Sequence, residues 1–167
     1  MTQYARPDSL VSNPGAWTTE PLYDVLDEAA PDDGDYITSD NGQGTYLCEV
    51  GLSDVSDPAS SSGHTVKWRA QLYGTGTKSV YTRLYLYQAA ALIAASGQHA
   101  ESTSVAQHQY TLSSGEADSI SDYTALRLRI EAYLTGTGTR VCRVTWAVLE
   151  VPDAGGSYEQ ECTCLLY

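Results

Sequence analysis

The stretch LRLRIEAYLTGTGTRVCRVTWAVLEVP, residues 126–152, decides the fold. Its first half alternates between apolar and polar residues, which indicates a β-strand with one buried face. The apolar positions are Leu126, Leu128, Ile130, Ala132 and Leu134, and the polar ones are Arg127, Arg129, Glu131 and Tyr133. A Gly/Thr turn follows, and the chain returns as a second strand. We therefore predict a β-hairpin.

The return strand changes phase. Cys142, Val144 and Trp146 are predicted to point inward, but farther along the apolar side passes to residues of the opposite parity, such as Leu149. One extra residue in a strand shifts the alternation in this way. We predict a β-bulge near Ala147 or Val148.

Residues 66–88 repeat the design around the turn Gly74–Thr77, so a second hairpin is predicted. Tyr81, Tyr85 and Tyr87 follow one another at period two and should form a ridge on one face of a sheet. Two interpretations stay open: a neighbouring sheet or subunit covers this ridge, or sugar rings stack on it.

Counting such segments gives about eight strands. Ser113 and Glu116 have capping-box spacing, which predicts one short helix near 113–120. The predicted fold class is all-β, an antiparallel two-sheet sandwich that is jelly-roll-like. The predicted organisation is an extended arm at 1–16, a sandwich domain at 17–153 and a C-terminal tail at 154–167.

Both ends carry apolar residues that need a surface to lie on. Pro7, Pro14 and Pro21 keep the N-terminal arm extended, on its own domain or on a neighbouring subunit. The predicted interaction residues, outside the tyrosine ridge, are Tyr4, Leu10, Val11, Leu165, Leu166 and Tyr167.

The net charge of −12 argues against nucleic acid as a partner, because phosphate binding needs a basic face. No apolar run approaches the roughly 20 residues that span a bilayer, so no membrane contact is expected. The N-terminus lacks a signal-peptide core, and synthesis in the cytosol is the expectation. Cys48 and Cys142 are expected to be buried thiols, whereas Cys162 and Cys164 form a C-x-C without further metal ligands nearby.

No catalytic constellation stands out, and we predict neither enzyme activity nor a cofactor. His64, beside a serine-rich loop, is either one half of a Ser/His pair or a surface histidine; we expect the latter. The carboxylates between Asp24 and Asp35 could serve glycoside hydrolysis, but solvated acidic faces have the same composition. Asp32, Asp33 and Asp35 are candidate calcium ligands, against ordinary turn and capping roles.

Several segments resemble a family of small β-sandwich structural proteins, of the decoration type, from tailed bacteriophages. The resembling segments are Trp17 with Leu22–Asp24 and Glu28; Asp32–Ile37; Leu52–Pro58; Gly63–Val66; Ala117–Leu128; and Val144–Ala147 up to Val151–Pro152. The resemblance covers roughly residues 17–153 and implies a structural role in the virion, with no catalytic residues.

On this basis we expect a capsid decoration or cement protein, made in the host cytoplasm and carried on the particle surface. Its partners would be the major capsid protein or other virion proteins, and it would form a homo-oligomer, for which a trimer is one option. The alternative is a lectin-like carbohydrate-binding module of a tail fibre or surface structure. A tail-tube protein is a further structural alternative, though rings built from β-barrels suit this strand pattern less well.

Overall fold

The computed structural model describes residues 1–19 and 21–155, and eleven β-strands in these ranges form two antiparallel sheets. In chain order the strands are β1 (Thr2–Ala5), β2 (Pro7–Ser12), β3 (Ile37–Thr38), β4 (Gly44–Leu52), β5 (Thr65–Tyr73), β6 (Ser79–Gln88), β7 (Ala91–Ala95), β8 (His99–Ala100), β9 (Ala106–Thr111), β10 (Leu126–Thr135) and β11 (Val141–Pro152). The predicted all-β, two-sheet sandwich is confirmed.

The smaller sheet has five strands in the order β1-β11-β5-β9, and β3 pairs with β11. The larger sheet has six strands in the order β2-β4-β10-β6-β7, and β8 pairs with β6. The predicted alternation holds in the central strands. Val66, Trp68, Ala70 and Leu72 of β5 are buried, and so are the apolar residues of β10 in the other sheet.

The two predicted hairpins are wrong. β5 pairs with β11 and β9, whereas β6 pairs with β10 and β7, so the strands joined by the first turn lie in different sheets. The same holds for β10 and β11. Each turn is therefore a β-arch, a connection that crosses from one sheet to the other. A Gly/Thr turn suits both geometries, and the long-range pairing of the strands decides between them.

The two arches bind each other. Gly76 and Gly138 form an antiparallel bridge, with Thr77 N donating to Thr137 O at 3.1 Å and Thr139 N donating to Thr75 O at 3.0 Å. The two arches therefore lie side by side and run antiparallel to each other. This contact fixes β5 beside β11 in one sheet and β6 beside β10 in the other.

The phase change in β11 is confirmed, but its position was predicted two to three residues too late. The register between β11 and β5 shifts between Val144 and Trp146, so Thr145 is the extra residue. Trp146 consequently lies on the outer side of its sheet, beside Arg69, and not inward as predicted. It is still only 6% exposed, because the segment around Glu28 covers it. The indole Nε1 donates to the carbonyl oxygen of Glu28 at 2.8 Å.

The N-terminal arm lies on its own domain. β1 pairs with β11 in the smaller sheet, and β2 pairs with β4 in the larger sheet, so residues 2–12 supply an edge strand to each. Ala5 and Pro7, at the crossing between the two sheets, are buried. The arm is thus held by hydrogen bonding to both sheets.

The predicted helix is confirmed as α1 (Ser114–Asp118) with a complete capping box. The Ser113 backbone N donates to the Glu116 carboxylate at 2.7 Å, and the Glu116 backbone N donates to the Ser113 hydroxyl. A single 3₁₀ turn, Tyr23–Val25, lies in the segment before β3. In the ranges 1–19 and 21–155, no helix is long and apolar enough to cross a membrane.

Cys48 and Cys142 are buried, as predicted. Burial raises the pKa of the Cys142 thiol well above its ordinary value. The predicted interaction residues Leu165, Leu166 and Tyr167 lie outside the described residues, as do Cys162 and Cys164.

Candidate functional site

The outer face of the six-stranded sheet carries tyrosines and charged side chains in one layer. We call it the tyrosine face. Its members are Tyr81, Arg83, Tyr85 and Tyr87 of β6, Arg127, Arg129, Glu131 and Tyr133 of β10, and Glu49 of β4. The period of two in each strand puts these side chains on one side, and the register aligns them in rows across the three strands. The predicted ridge of Tyr81, Tyr85 and Tyr87 is the β6 part of this face.

One end of the face holds a network around Glu49. Arg129 donates to Glu49 Oε2 from Nε at 3.0 Å and from Nη2 at 2.8 Å, and its Nη1 donates to the Tyr87 hydroxyl at 2.9 Å. Its guanidinium carbon also lies 4.3 Å from the centre of the Tyr87 ring. Hydrogen bonding to Glu49 raises the pKa of Arg129. All three guanidinium nitrogens of Arg129 are therefore hydrogen-bonded, which fixes the side chain.

The middle of the face is organised by Tyr85. Its hydroxyl donates to Glu131 Oε2 at 3.0 Å and accepts from Arg83 Nη1 at 3.2 Å. Burial raises the pKa of Tyr85, so the phenol stays neutral at ordinary pH. The rings of Tyr85 and Tyr87 lie 6.4 Å apart between centres, within the range of a favourable aromatic pair.

The other end carries a second aromatic pair. Tyr81 and Tyr133 face each other across β6 and β10, with ring centres 6.2 Å apart. Tyr133 is 38% exposed, and Tyr81, Tyr85 and Tyr87 are partly exposed. From Tyr81 to Tyr87 there are three two-residue steps, so the face is about 20 Å long. It therefore offers partly exposed rings along its whole length.

The outer face of the five-stranded sheet differs from the tyrosine face, because the segment before β3 lies on it and contacts its charged side chains. The Arg143 guanidinium lies between the rings of Tyr36 and Tyr73, 3.8 and 3.3 Å from their centres. The Arg69 guanidinium binds both oxygens of Asp33, at 2.9 and 2.6 Å. The segment that precedes β3 thus supplies partners to the charged side chains here.

The acidic loop predicted as a calcium site has other contacts. Arg69 occupies both oxygens of Asp33, and this hydrogen bond lowers the pKa of that carboxyl. Asp32 accepts from the backbone N of Gly34 at 2.8 Å, which is a turn role. Within the part of the chain that the structure describes, no group of three or more His, Cys, Asp or Glu side chains could hold a metal ion.

The expectation that His64 is a surface residue is wrong. Its side chain is fully buried, and its Nε2 lies 2.8 Å from the Tyr123 hydroxyl. Desolvation lowers the pKa of His64. Its hydrogen-bond partner is therefore a phenol rather than a serine of the adjacent loop. No sequence pattern indicates this burial, because His64 precedes the first apolar residue of β5.

Sequence reasoning also missed a polar cluster between the sheets. Trp68 Nε1 donates to the Thr82 hydroxyl at 3.0 Å, and that hydroxyl donates to Glu101 Oε1 at 2.5 Å. His108 Nε2 lies 3.0 Å from the same Glu101 oxygen, and the rings of His99 and His108 are 4.6 Å apart. Thr82 sits among apolar inward positions of β6, and that break in the pattern was the available signal.

The other predicted interaction residues do not join the tyrosine face. Tyr4 lies on β1 and is 43% exposed, whereas Leu10 and Val11 lie on β2 and are 41% and 39% exposed. The structure therefore separates the predicted residues into an edge group on β1 and β2 and a sheet-face group on β6.

No protein-family model and no curated protein matches this sequence. Among solved structures, the chain is similar to one described as "CBM4 structure and function", with 12% identity, a TM-score of 0.42 and coverage of 71% of both chains. It is also similar to TmCBM61 in complex with β-1,4-galactotriose, with 8% identity and a TM-score of 0.44, covering 91% of this chain and 88% of the other. Likenesses of this strength carry no argument about function.

Proposed function

We propose that this protein is a binding module that holds a carbohydrate chain on the tyrosine face. The observation that carries the proposal is the layer of four partly exposed tyrosines set among hydrogen-bonded arginine and glutamate side chains. A sugar ring has an apolar side that stacks on an aromatic ring and a rim of hydroxyls that hydrogen-bond to polar groups. The tyrosine face presents both kinds of partner in one plane.

The polar groups of the face are held in place before any ligand arrives. Arg129 is fixed by Glu49 and Tyr87, and Tyr85 is fixed by Arg83 and Glu131. Side chains that are already ordered lose little conformational entropy on binding. The face is also built on central strands, which position side chains more rigidly than loops do. Both features favour recognition of an extended chain without catalysis.

Substitution within the face tests the proposal. Wild-type protein is expected to bind a subset of oligosaccharides on a glycan array, and Tyr85→Ala and Tyr87→Ala should each weaken that binding at least about tenfold. Tyr4→Ala is the matched control, because this tyrosine is exposed but lies on β1, in the other sheet. Thermal unfolding of each variant checks that the fold is kept.

Two results contradict the proposal. One is a wild-type protein that binds no glycan on the array, in which case the tyrosines serve only to pair strands across the sheet. The other is a folded Tyr85→Ala or Tyr87→Ala protein that binds as tightly as the wild type.

A role on the virion surface, as a decoration protein that forms oligomers, is a second candidate. The observation that favours it is the edge strand β2, which pairs with β4 on one side and exposes Leu10 and Val11. An exposed apolar edge strand can pair with a strand from another chain. In this candidate, β2 joins copies of the protein to one another or to a capsid protein.

Removal of the whole arm would not test this second candidate, because residues 2–12 are edge strands of both sheets. A double substitution, Leu10→Glu with Val11→Glu, is better suited. Sedimentation velocity should show a wild-type oligomer that dissociates in the double variant, with Leu92→Glu, at the opposite edge of the sheet, as control. A wild-type protein that stays monomeric at all concentrations, or a double variant that still assembles, would count against it.

A further inference from the structure

We infer that the tyrosine face selects an anionic saccharide that carries carboxylates, that is, a chain containing uronic acid. This inference rests on the proposed function and adds the class of ligand. Its basis is the charge of the face and the position of one arginine, Arg127, whose guanidinium is weakly engaged by the protein.

The charge of the face has the opposite sign to that of the whole chain. The protein has a net charge of −12 and only nine Lys and Arg residues. Three of these nine, namely Arg83, Arg127 and Arg129, lie on the tyrosine face, where only two carboxylates, Glu49 and Glu131, oppose them. A cationic patch on an acidic protein attracts an anionic ligand to that patch in preference to the rest of the surface.

The three arginines are not equally occupied. Arg129 uses three nitrogens in short hydrogen bonds to Glu49 and Tyr87, and Arg83 donates to the Tyr85 hydroxyl. Within the described residues Arg127 makes one polar contact, from Nη1 to Glu49 Oε1 at the long distance of 3.4 Å. Its side chain is 37% exposed. The Arg127 fork therefore retains donors that a ligand can use.

Arg127 is placed to bind a carboxylate of the sugar. It lies directly opposite Tyr87 in the register of β10 and β6, so a sugar bound at Tyr87 lies one strand away from Arg127 on the same face of the sheet. A guanidinium binds a carboxylate through two parallel hydrogen bonds, which no hydroxyl group can reproduce. On its other side Arg127 borders a depression that also contains Asp8 and Asp54. These two carboxylates repel an anionic ligand, so we assign the acceptor position to the side of Arg127 that faces β6.

The test compares acidic polymers with their neutral counterparts. Polygalacturonate, alginate and hyaluronate are each paired with the same polymer after methyl esterification of its carboxylates, and affinities are measured by calorimetry. At least one acidic polymer should bind about tenfold or more tightly than its ester, which corresponds to about 1.4 kcal/mol. The difference should shrink as salt is raised, because exposed charges are screened.

Arg127→Gln should reduce that difference to about twofold or less while the affinity for the ester stays unchanged. Arg69→Gln is the matched control: it removes the same charge from the outer face of the other sheet, and should keep the full preference. Dextran sulfate serves as an anion without carboxylates, and its binding should be weaker than that of the preferred acidic polymer.

The outcomes separate the inference from the proposed function. If the esters bind as tightly as the acids and the binding depends on Tyr87, the inference falls and the proposed function stands. If dextran sulfate binds as tightly as the acidic polymers, attraction is by charge alone and the carboxylate assignment falls. An Arg127→Gln protein with an undiminished preference also overturns the inference. If no polymer and no neutral glycan binds in a Tyr87-dependent way, both fall.

Discussion

Gly76 and Gly138 face each other across the two β-arches so closely that neither has room for a side chain. A Cβ atom on Gly76 would lie 2.8 Å from the Cα of Gly138, and a Cβ on Gly138 would lie 2.9 Å from the Cα of Gly76. Both residues also have positive φ angles, 116° and 122°, which side chains disfavour. The pairing of the arches therefore depends on glycine at these two positions.

Gly138→Ala should lower the free energy of unfolding by about 2 kcal/mol, because the new methyl group both clashes and strains the backbone. Urea denaturation measures this loss. Gly97→Ala is the control, since a Cβ there meets no atom within 4 Å, and its cost should stay below about 0.5 kcal/mol. Equal effects of the two substitutions would show that the contact between the arches contributes nothing to stability.

Trp146→Ala should destabilise the protein by about 3 kcal/mol, as in a core truncation, although Trp146 lies on the outer side of its sheet. Trp146→Phe keeps most of the ring surface but leaves the Glu28 carbonyl without its donor. This substitution should lower the free energy of unfolding by about 1 kcal/mol. Chemical denaturation distinguishes the two. A Trp146→Ala protein as stable as the wild type would mean that the segment over the sheet adds no stability.

The stability should decrease as the pH falls below about 6.5. Burial lowers the pKa of His64, and burial followed by the charge of His108 lowers the pKa of His99. The unfolded chain, with histidine pKa values near 6.5, therefore binds protons that the folded chain does not. The contribution to stability is complete above that pH and is lost below it.

Urea denaturation at pH 7.5, 6.5 and 5.5 measures this dependence, and replacement of His64 and His99 by Gln should reduce it. The scan stops at 5.5 because burial raises the pKa of Glu28 from 4.5, and a carboxyl shifted upward changes the stability in the opposite direction. A double variant with an undiminished pH dependence would place its source elsewhere.

Ser113→Ala should cost about 1 kcal/mol, because it removes the hydroxyl that accepts from the Glu116 backbone N at the start of α1. Ser114→Ala is the neighbouring control, at the first helical position. The two proteins should differ by most of that amount in urea denaturation. If Ser114→Ala costs as much, the capping box is not the source of the loss.

The sequence predicted which residues face the core, because that depends on local alternation. The inward set predicted for the first strand of the opening stretch, Leu126, Leu128, Ile130, Ala132 and Leu134, is the buried set of β10. The sequence could not predict which strands pair, since a Gly/Thr turn between two alternating segments fits a hairpin and an arch equally well. The partner of β5 is β11, roughly seventy residues away along the chain.

The position of the bulge was missed for a similar reason. Trp146 is apolar, and an apolar residue suits an inward position as well as an outer position covered by another segment. The segment around Glu28, whose carbonyl accepts a hydrogen bond from the indole N–H, decides between the two positions. In the candidate site, the ridge of Tyr81, Tyr85 and Tyr87 was visible from the period of two, whereas Glu49 and Arg129 join it only through the register of β4 and β10.

The arches have a consequence for how quickly the chain can fold. A hairpin closes as soon as its second strand is made, but here β5 and β6 face each other across the core without pairing. β6 pairs first with β7 and β5 first with β9, and each gains its second neighbour only when β10 or β11 is made. Proteins whose contacts are far apart in sequence fold slowly, typically in milliseconds to seconds for β-sandwiches. During synthesis on the ribosome, β5 therefore lacks its second neighbour, β11, until more than sixty further residues have emerged, and Lys67 keeps a charge beside its Val/Leu/Trp face in that interval.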